Sequence, residues 1–368
     1  MLNKIIEDYL ILEPADIDLQ RSPLRVGIKE ETFVLGTFNP GMERLPNGNI
    51  VLMVRVAEAI TNNPESKEHS YIRWDSKSGF VLEKLSYDDL DRSDPRKFIY
   101  KHNLNKTYCL TSFSWLLPVE LNSSASEIVE IHYNKAIIPT NEYQEYGIED
   151  ARITKIDETY YMTACAVSSL RHSTVLYKSG NGLDYEYLGV ILDHQNKDMV
   201  LFAEKVDDFY YALTRPIGDH YFYSKTNFVG PTIQMSKSPD LIHWAPVEEF
   251  KMRIYKKFGD IMKVGGGAPP IKYKDSWLVL FHTANQKSNV GMYNTSYMLL
   301  DFANPSIIKE VDLLTPFLSS NPELTNHLDE IKYMDDVVFT TGAIIDKESI
   351  VIASGELDLC CRITKMMI

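Results

Sequence analysis

The sequence is poor in cysteine, in net positive charge and in long apolar runs. Its cysteines are Cys109, Cys165, Cys360 and Cys361, two of them adjacent and two far apart. That spacing resembles neither a disulfide framework nor a zinc cluster, so reduced thiols are expected. Lys and Arg number 38 against 51 Asp and Glu, a net charge of -13. A broad basic footprint for nucleic acid is therefore excluded. An anionic ligand would need a local cluster of cations against this acidic background. No apolar run approaches the roughly 20 residues of a membrane-spanning helix. The opening stretch, MLNKIIEDYLILEP, carries acids inside its apolar part and reads unlike a secretory leader. A soluble, cytoplasmic protein without membrane or nucleic-acid partners is the expectation.

Familiar catalytic signatures are also missing. The run Gly265-Gly266-Gly267 lacks a following GK[ST] and leads into Ala268-Pro269-Pro270. It is no phosphate-binding P-loop, although it allows close backbone approach to a ligand. There is no nucleophile elbow, and no metal-ligand spacing suggests a required cation. His69, His102, His132 and His172 are scattered, and surface roles are expected for them.

What is present is a repeat. The unit is a strand, a polar turn and a strand rich in β-branched and aromatic residues. The copies are TFNPGMERLPNGNIVLMVRV, GIEDARITKIDETYYMTACA, KDMVLFAEKVDDFYYALTRP, GGGAPPIKYKDSWLVLFHTA and VVFTTGAIIDKESIVIASGE. Asn-Gly and Asp-containing turns between such runs signal hairpins. Ile50, Tyr160, Tyr210, Trp277 and Ile350 begin the second strands, whose two faces are both largely apolar. Such strands lie buried between layers. Five hairpins separated by long β-rich segments predict an all-β, five-bladed β-propeller. Residues 1–368 read as a single domain, with a short N-terminal extension over about 1–30. Helix is suggested only near residues 3–12 and 321–331. Residues 62–68 and 88–97 read as exposed polar loops.

The aligned copies also place charge. Five residues after each anchor stand Arg55, Cys165, Arg215, His282 and Gly355. Two arginines and a histidine at one register would repel unless an anion or carboxylates sit between them. The first strands add Glu149, Asp150 and Arg152, then Lys197 and Asp198, with Lys263 before the glycine run and Asp358 after the last strand. Glu204 and Lys205 fall on opposite faces of one predicted strand, so one should point inward. The sum is one or more acids amid Lys197, Arg215, Lys263 and His282, side chains suited to phosphate oxygens. A ring of structural ion pairs between blades would read the same way.

FNPGMERL, GIEDARITKI, KDMVLFAEKV, RPIGD, GGGAPPI and VVFTTGAIID are similar, in order, to the signature segments of glycoside hydrolase family 130. The resemblance runs from about Asn39 to Asp358. It implies a five-bladed propeller and inverting phosphorolysis of β-mannosides, β-1,2- or β-1,4-linked, to α-mannose 1-phosphate. Asp150 matches the family's proton donor, acting through the mannose 3-hydroxyl. Lys197, Arg215, Lys263 and His282 match its phosphate-holding positions. Asn39, Arg55, Glu149, Arg152, Glu204, Lys205 and Asp358 fall near the sugar. Phosphate is the co-substrate and no cofactor is implied. The expected partners are a β-mannoside or manno-oligosaccharide and phosphate, and a homo-oligomer stays open. The sequence departs from the family at Ala151, at Ala203 and in Gly355-Glu356-Leu357-Asp358, where Glu356 would add a carboxylate near the site.

Inverting hydrolysis needs two carboxylates, one of them to activate water. Phosphorolysis needs one acid, plus cations to gather and orient an anionic nucleophile. The four cations favour phosphorolysis. An inverting mannosidase or a mannosyltransferase of the same fold remains the alternative, and a non-catalytic carbohydrate-binding propeller is the alternative of another class.

Overall fold

The computed structural model describes residues 4–101, 108–217, 228–229, 232–252, 254–255, 261–285 and 291–368. His102 and the Gly218-Asp219 end of RPIGD lie outside them. Antiparallel strands dominate, in five principal sheets. Each begins with one of the predicted hairpins. In the first sheet Thr32–Arg44 pairs with Ile50–Ile60, followed outward by Phe113–Leu121 and Ile128–Ile131. The second runs Ile148–Ile156, Thr159–Val167, His172–Ser179 and Glu186–Leu192. The third runs Asn196–Leu201, Tyr210–Pro216, Gln234–Ser238 and Ala245–Pro246. The fourth orders Ile261–Gly266, Ser276–Asn285, Met292–Asp301 and Ile308–Asp312, with Ile271–Tyr273 also pairing to Ser276–Asn285.

The fifth sheet joins the two ends of the sequence. Val338–Asp346, Ser349–Glu356 and Cys360–Met367 are completed by Lys4–Leu12. The helix suggested near residues 3–12 is therefore a strand. The open edge of Cys360–Met367 supplies a ladder of hydrogen bonds that a lone helix could not match. Charge fixes its register: Asp8 accepts from Arg362 at 2.7 Å, and Arg362 also meets buried Glu356 at 2.9 Å. Near 321–331 only two short turns form, Pro322–Thr325 and Asn326–Leu328.

The hairpin turns follow their residue chemistry. Gly48 sits at φ 87°, and Asp157, Asp207, Asp208, Lys274 and Lys347 are left-handed as well. Aspartate tolerates that conformation better than most residues. The second strands are buried on both faces as expected; the neighbours Ile50 and Val51, Trp277 and Leu278, and Ile350 and Val351 are all at most 1% exposed.

Apolar clusters lie between successive sheets. One packs Met53 and Leu116 against Ile153 and Met162. Others join Leu176 to Leu201, Phe202 to Trp277, and Leu278 to Val338. A fifth joins the last sheet back to the first, with Ile363 and Val351 beside Val54 and Trp115.

Between Ile50–Ile60 and Phe113–Leu121 the chain makes an excursion. Glu68–Asp75 and Gly79–Ser86 form a hairpin, and Leu90–Asp94, Lys97–Tyr100 and Tyr108–Leu110 form a small sheet. The stretch read as a polar loop at 88–97 is thus mostly paired backbone, and its tip reaches the site.

Candidate active site

The first strands of the five sheets share one irregularity. Their pairing slips between Phe38 and Gly41, Glu149 and Arg152, Lys197 and Val200, Ile261 and Lys263, and Thr340 and Gly342. A bulge re-aims a side chain and interrupts a ladder, and bulges gather at functional sites. Within three of these bulges a polar residue turns left-handed: Asn39 at φ 50°, Asp150 at 54° and Asp198 at 59°. Asn and Asp are the non-glycine residues that enter this region most readily. Asp358, just after Ser349–Glu356, is left-handed too. All four line one cavity of about 360 Å³.

The cavity also collects Arg55, Glu149, Lys197, Arg215, Lys263 and His282. The common register explains why. Arg55 pairs across its hairpin with Phe38, Cys165 with Glu149, Arg215 with Lys197, His282 with Gly265 and Gly355 with Phe339. The positions aligned in sequence are therefore equivalent in space.

One half of the cavity is a balanced network. Arg55 donates to Glu149 Oε1 at 2.8 Å, to Asp150 Oδ1 at 3.1 Å and to Ser114 Oγ at 3.0 Å. Lys197 Nζ reaches Glu149 Oε2 at 3.0 Å, and Asn39 Nδ2 donates to Asp150 Oδ1 at 2.9 Å. Burial pushes the Glu149 carboxyl up, but Arg55 and Lys197 outweigh it and hold it at about 2. Both bonds to Asp150 fall on Oδ1, so among the described residues Oδ2 is left without a hydrogen bond.

The other half has more cations than acids. Asp198 Oδ2 accepts from Arg215 Nε at 2.6 Å and lies 3.7 Å from His282 Nε2; its Oδ1 is 3.8 Å from Arg152 Nη2. Lys263 makes no salt bridge among the described residues, and its ammonium stands over the Tyr293 ring at 4.8 Å. Burial, helped by nearby Arg215, lowers the Lys263 ammonium to about 8. Burial likewise holds His282 near 3 and therefore neutral, with Arg215 adding to the effect against Asp198. Among the described residues neither ring nitrogen of His282 has a hydrogen-bond partner, nor does Arg152 Nη2. Buried polar groups are seldom left so, and three in one cluster mark a place for a polar ligand.

Several expectations need correction. Glu204 and Lys205 do not face the cavity; both are exposed in a turn after Asn196–Leu201, and Glu204 pairs with Lys272. The predicted strand ends at Leu201, so the alternation that would turn one of them inward stops there. Arg152 is not a cavity-lining side chain. It lies beneath the site, fully buried, donating to the carbonyls of Gly267 at 2.6 Å and Asp150 at 2.5 Å. It ties the bulge at Asp150 to the fourth sheet. Glu356 is engaged by Arg362 and by the Asn321 backbone and stays outside the site. His172 is no surface residue: it lines the cavity, and burial together with Lys197 lowers its imidazole to about 3. His69 and His132 are buried elsewhere.

Sequence reasoning missed Arg96, Lys97, Tyr293, Tyr333 and Phe339, which also line the cavity. Arg96 and Lys97 come from the tip of the excursion, where Asp94 braces Arg96 through two bonds of 3.1 and 3.0 Å. The signal was the Asp94-Pro95-Arg96-Lys97 turn, which no copy of the repeat contains. Phe339 could have been found, since it occupies the register of Glu149 and Lys197.

The model of glycoside hydrolase family 130, described as beta-1,4-mannooligosaccharide phosphorylase, matches residues 111–368. The chain is 30% identical to a beta-1,2-mannobiose phosphorylase of Listeria innocua, covering 96% of this chain and 92% of that protein. It is also 30% identical to a 1,2-beta-oligomannan phosphorylase of Thermoanaerobacter sp., over 61% of this chain and 70% of the relative. Among solved structures, the beta-1,2-mannobiose complex of the Listeria innocua phosphorylase superposes with a TM-score of 0.79 at 26% identity, covering 98% and 97% of the two chains. A family model over most of the sequence and a relative aligned end to end lead to one conclusion: the chain belongs to glycoside hydrolase family 130.

Proposed function

We propose that this protein is an inverting β-mannoside phosphorylase that releases α-mannose 1-phosphate and runs in reverse when given that ester and an acceptor sugar. The observation that carries the proposal is the charge asymmetry of the cavity. Arg55 and Lys197 are paired with Glu149 and Asp150, whereas among the described residues Arg215 and Lys263 on the cavity wall, with Arg152 beneath them, share only Asp198. This excess of positive charge beside unpartnered donors fits a phosphate anion. The first three curated relatives, named for β-1,2-linked mannose, favour a β-1,2-mannobiose or short oligomannan as the sugar.

In this reading Arg215, Lys263 and His282 hold phosphate beside the anomeric carbon, and Lys197 bridges them to the sugar side. Asn39, Arg55, Glu149 and Asp358 orient the mannose. One phosphate oxygen forms a bond to the anomeric carbon from the face opposite the leaving oxygen. As the old glycosidic bond breaks, Asp150 supplies the proton that the departing oxygen takes up, through the sugar's 3-hydroxyl. The oxygen free to carry that proton is Oδ2. Asp150 then stands as a carboxylate stabilised by Arg55 and Asn39, and reprotonation resets it. Orientation of two reactants in one cavity supplies much of the acceleration, and proton donation the rest.

We further infer that the five sheets are the blades of one propeller forming a single domain. The apolar cluster between the fifth sheet and the first supports closure. Phosphate is the co-substrate, and no metal or organic cofactor enters the scheme. A cytoplasmic setting suits a charged sugar phosphate, which does not cross a bilayer readily. No helix among the described residues is long and apolar enough to span one.

The test is incubation with β-1,2- and β-1,4-mannobiose, with and without phosphate. Phosphate-dependent appearance of α-mannose 1-phosphate supports the reading, and turnover unchanged by a chelator supports its metal-free scheme. Mannose release at the same rate without phosphate would make the protein a mannosidase. No turnover of any mannoside, with binding retained, would make it a carbohydrate-binding propeller.

A further inference from the structure

A carboxylate is an odd neighbour for an anion. Asp198 lines the same cavity as Arg215, Lys263 and His282 and is itself nearly inaccessible, its side chain 2% exposed. Simple Coulomb reasoning says that it should repel phosphate. Its contacts say something else. Asp198 Oδ2 holds Arg215 through Nε, the one nitrogen of the guanidinium that points back along the side chain. No side chain among the described residues takes up the two Nη groups, which leaves them for another partner, and the plane of the fork is fixed. The same oxygen lies 3.7 Å from His282 Nε2, and Oδ1 faces Arg152 across 3.8 Å. One buried carboxylate thus touches side chains from three sheets, at a left-handed bulge that sets its own direction.

The backbone opposite has been cleared for this cluster. A Cβ added at Gly265 would stand 2.4 Å from Asp198 Oδ2, 2.4 Å from His282 Cε1 and 2.7 Å from Arg215 Nε. Such distances are far inside van der Waals contact, so no larger residue fits without displacing all three. Gly265 is the cross-strand partner of His282, which places the bare backbone and the imidazole side by side.

We propose that Asp198 is a positioning residue: it orients Arg215 and His282 as a preformed cradle for phosphate, in a pocket that Gly265 keeps open. The inference rests on the phosphorylase reading above. Orientation and plain charge predict opposite signs, which makes it testable. Asp198→Asn removes a negative charge beside the anion, so electrostatics alone would lower KM for phosphate. Loss of the cradle raises it.

The experiment measures KM for phosphate and for the mannoside separately, with thermal melting of each variant. For Asp198→Asn, KM for phosphate should rise on the order of ten- to a hundredfold, the scale of a small misplacement of a reacting group, with KM for the mannoside nearly unchanged. Gly265→Ala keeps every charge and should give the same selective rise. If Asp198→Asn does not fold, Gly265→Ala decides alone. The double variant Asp198→Asn with Arg215→Lys should be less than additive, because both changes disable one cradle. A lowered or unchanged phosphate KM in Asp198→Asn, or an unchanged one in Gly265→Ala, overturns the inference. Should the unmodified protein turn over mannosides with no need of phosphate, it is the phosphorylase reading that fails.

Discussion

The two halves of the cavity are built from the same kinds of residue and solve different problems. Around Glu149, the cations Arg55 and Lys197 are each paired with a carboxylate within about 3 Å. Around Asp198, among the described residues, two arginines meet one acid with Lys263 nearby and unpaired, and three buried polar atoms stay unpartnered. Burying charge is tolerable only when it is paired. The cations of the first half are therefore compensated within the fold, although Asn39 Oδ1 stays unpartnered among the described residues. The second is left incomplete, and an incoming anion completes it. The lesson is that a binding site is marked less by the presence of charge than by charge that the fold itself leaves uncompensated.

The most damaging change to the compensated half should be Asp150→Asn. It preserves shape and the acceptor for Asn39 and Arg55 while removing the transferable proton. Turnover of natural mannosides should fall by about 10²–10⁴-fold, the usual share of general acid catalysis, with both KM values little altered. Aryl mannosides whose leaving group needs no proton should lose far less. Equal losses on both substrates would assign the acid elsewhere.

Next in size is Glu149→Gln, which should act on stability. It leaves Arg55 and Lys197 buried with too little negative charge, at a loss of about 3–5 kcal/mol. Denaturant unfolding checks this, and an unchanged midpoint would show that the pairing is not structural. The sign with pH follows from the depressed carboxyl. The contribution of Glu149 is complete above its unfolded value of 4.5 and disappears as pH falls toward about 2. The glutamine variant should lack that part of the acid sensitivity.

How far the sequence revealed this site depended on which residues obeyed the repeat. Arg55, Arg215 and His282 share one register with Cys165 and Gly355, so aligning five copies was enough to bring them together. Asn39, Asp150 and Asp198 lie at bulges, where strand alternation fails, and a two-residue period does not say which way they point. Glu204 and Lys205 were misplaced for the related reason that their strand ended sooner than its pattern suggested. The strand at Lys4–Leu12 depends on an edge at the far end of the sequence, which no local propensity reports. Arg96 and Lys97 belong to an excursion outside the repeat, where periodic reasoning has nothing to compare.

A smaller effect is expected in the unfinished half from Lys263→Ala. Removing one charge-assisted contact worth about 1.5–3 kcal/mol should raise KM for phosphate about ten- to a hundredfold and leave the mannoside KM alone. The pH dependence points the same way. Because burial and Arg215 hold the Lys263 ammonium near 8, its charge is lost as pH rises through that value, and phosphate KM should climb there. Lys263→Arg keeps the charge at all accessible pH values and should flatten the climb. A rise that persists in the arginine variant belongs to another group.

The smallest effect should come from Arg96→Ala, and it tests whether the excursion belongs to either half. Arg96 lines the cavity, but Asp94 already neutralises it through two hydrogen bonds, and its side chain remains 36% exposed. It therefore adds no uncompensated charge, and water screens what field it has. It lies on the side of Asp358, whose carboxyl is pushed up by burial against the pull of Arg55 and Arg96. Truncation should leave phosphate KM within about twofold, because an exposed ion pair is worth about 0–1 kcal/mol. The change should fall instead on the mannoside, as a modest rise in its KM that grows from mannobiose to longer oligomannans if the tip borders the outer sugar. A phosphate KM raised as far as in Lys263→Ala would move Arg96 into the anion site and shift the boundary between the two halves.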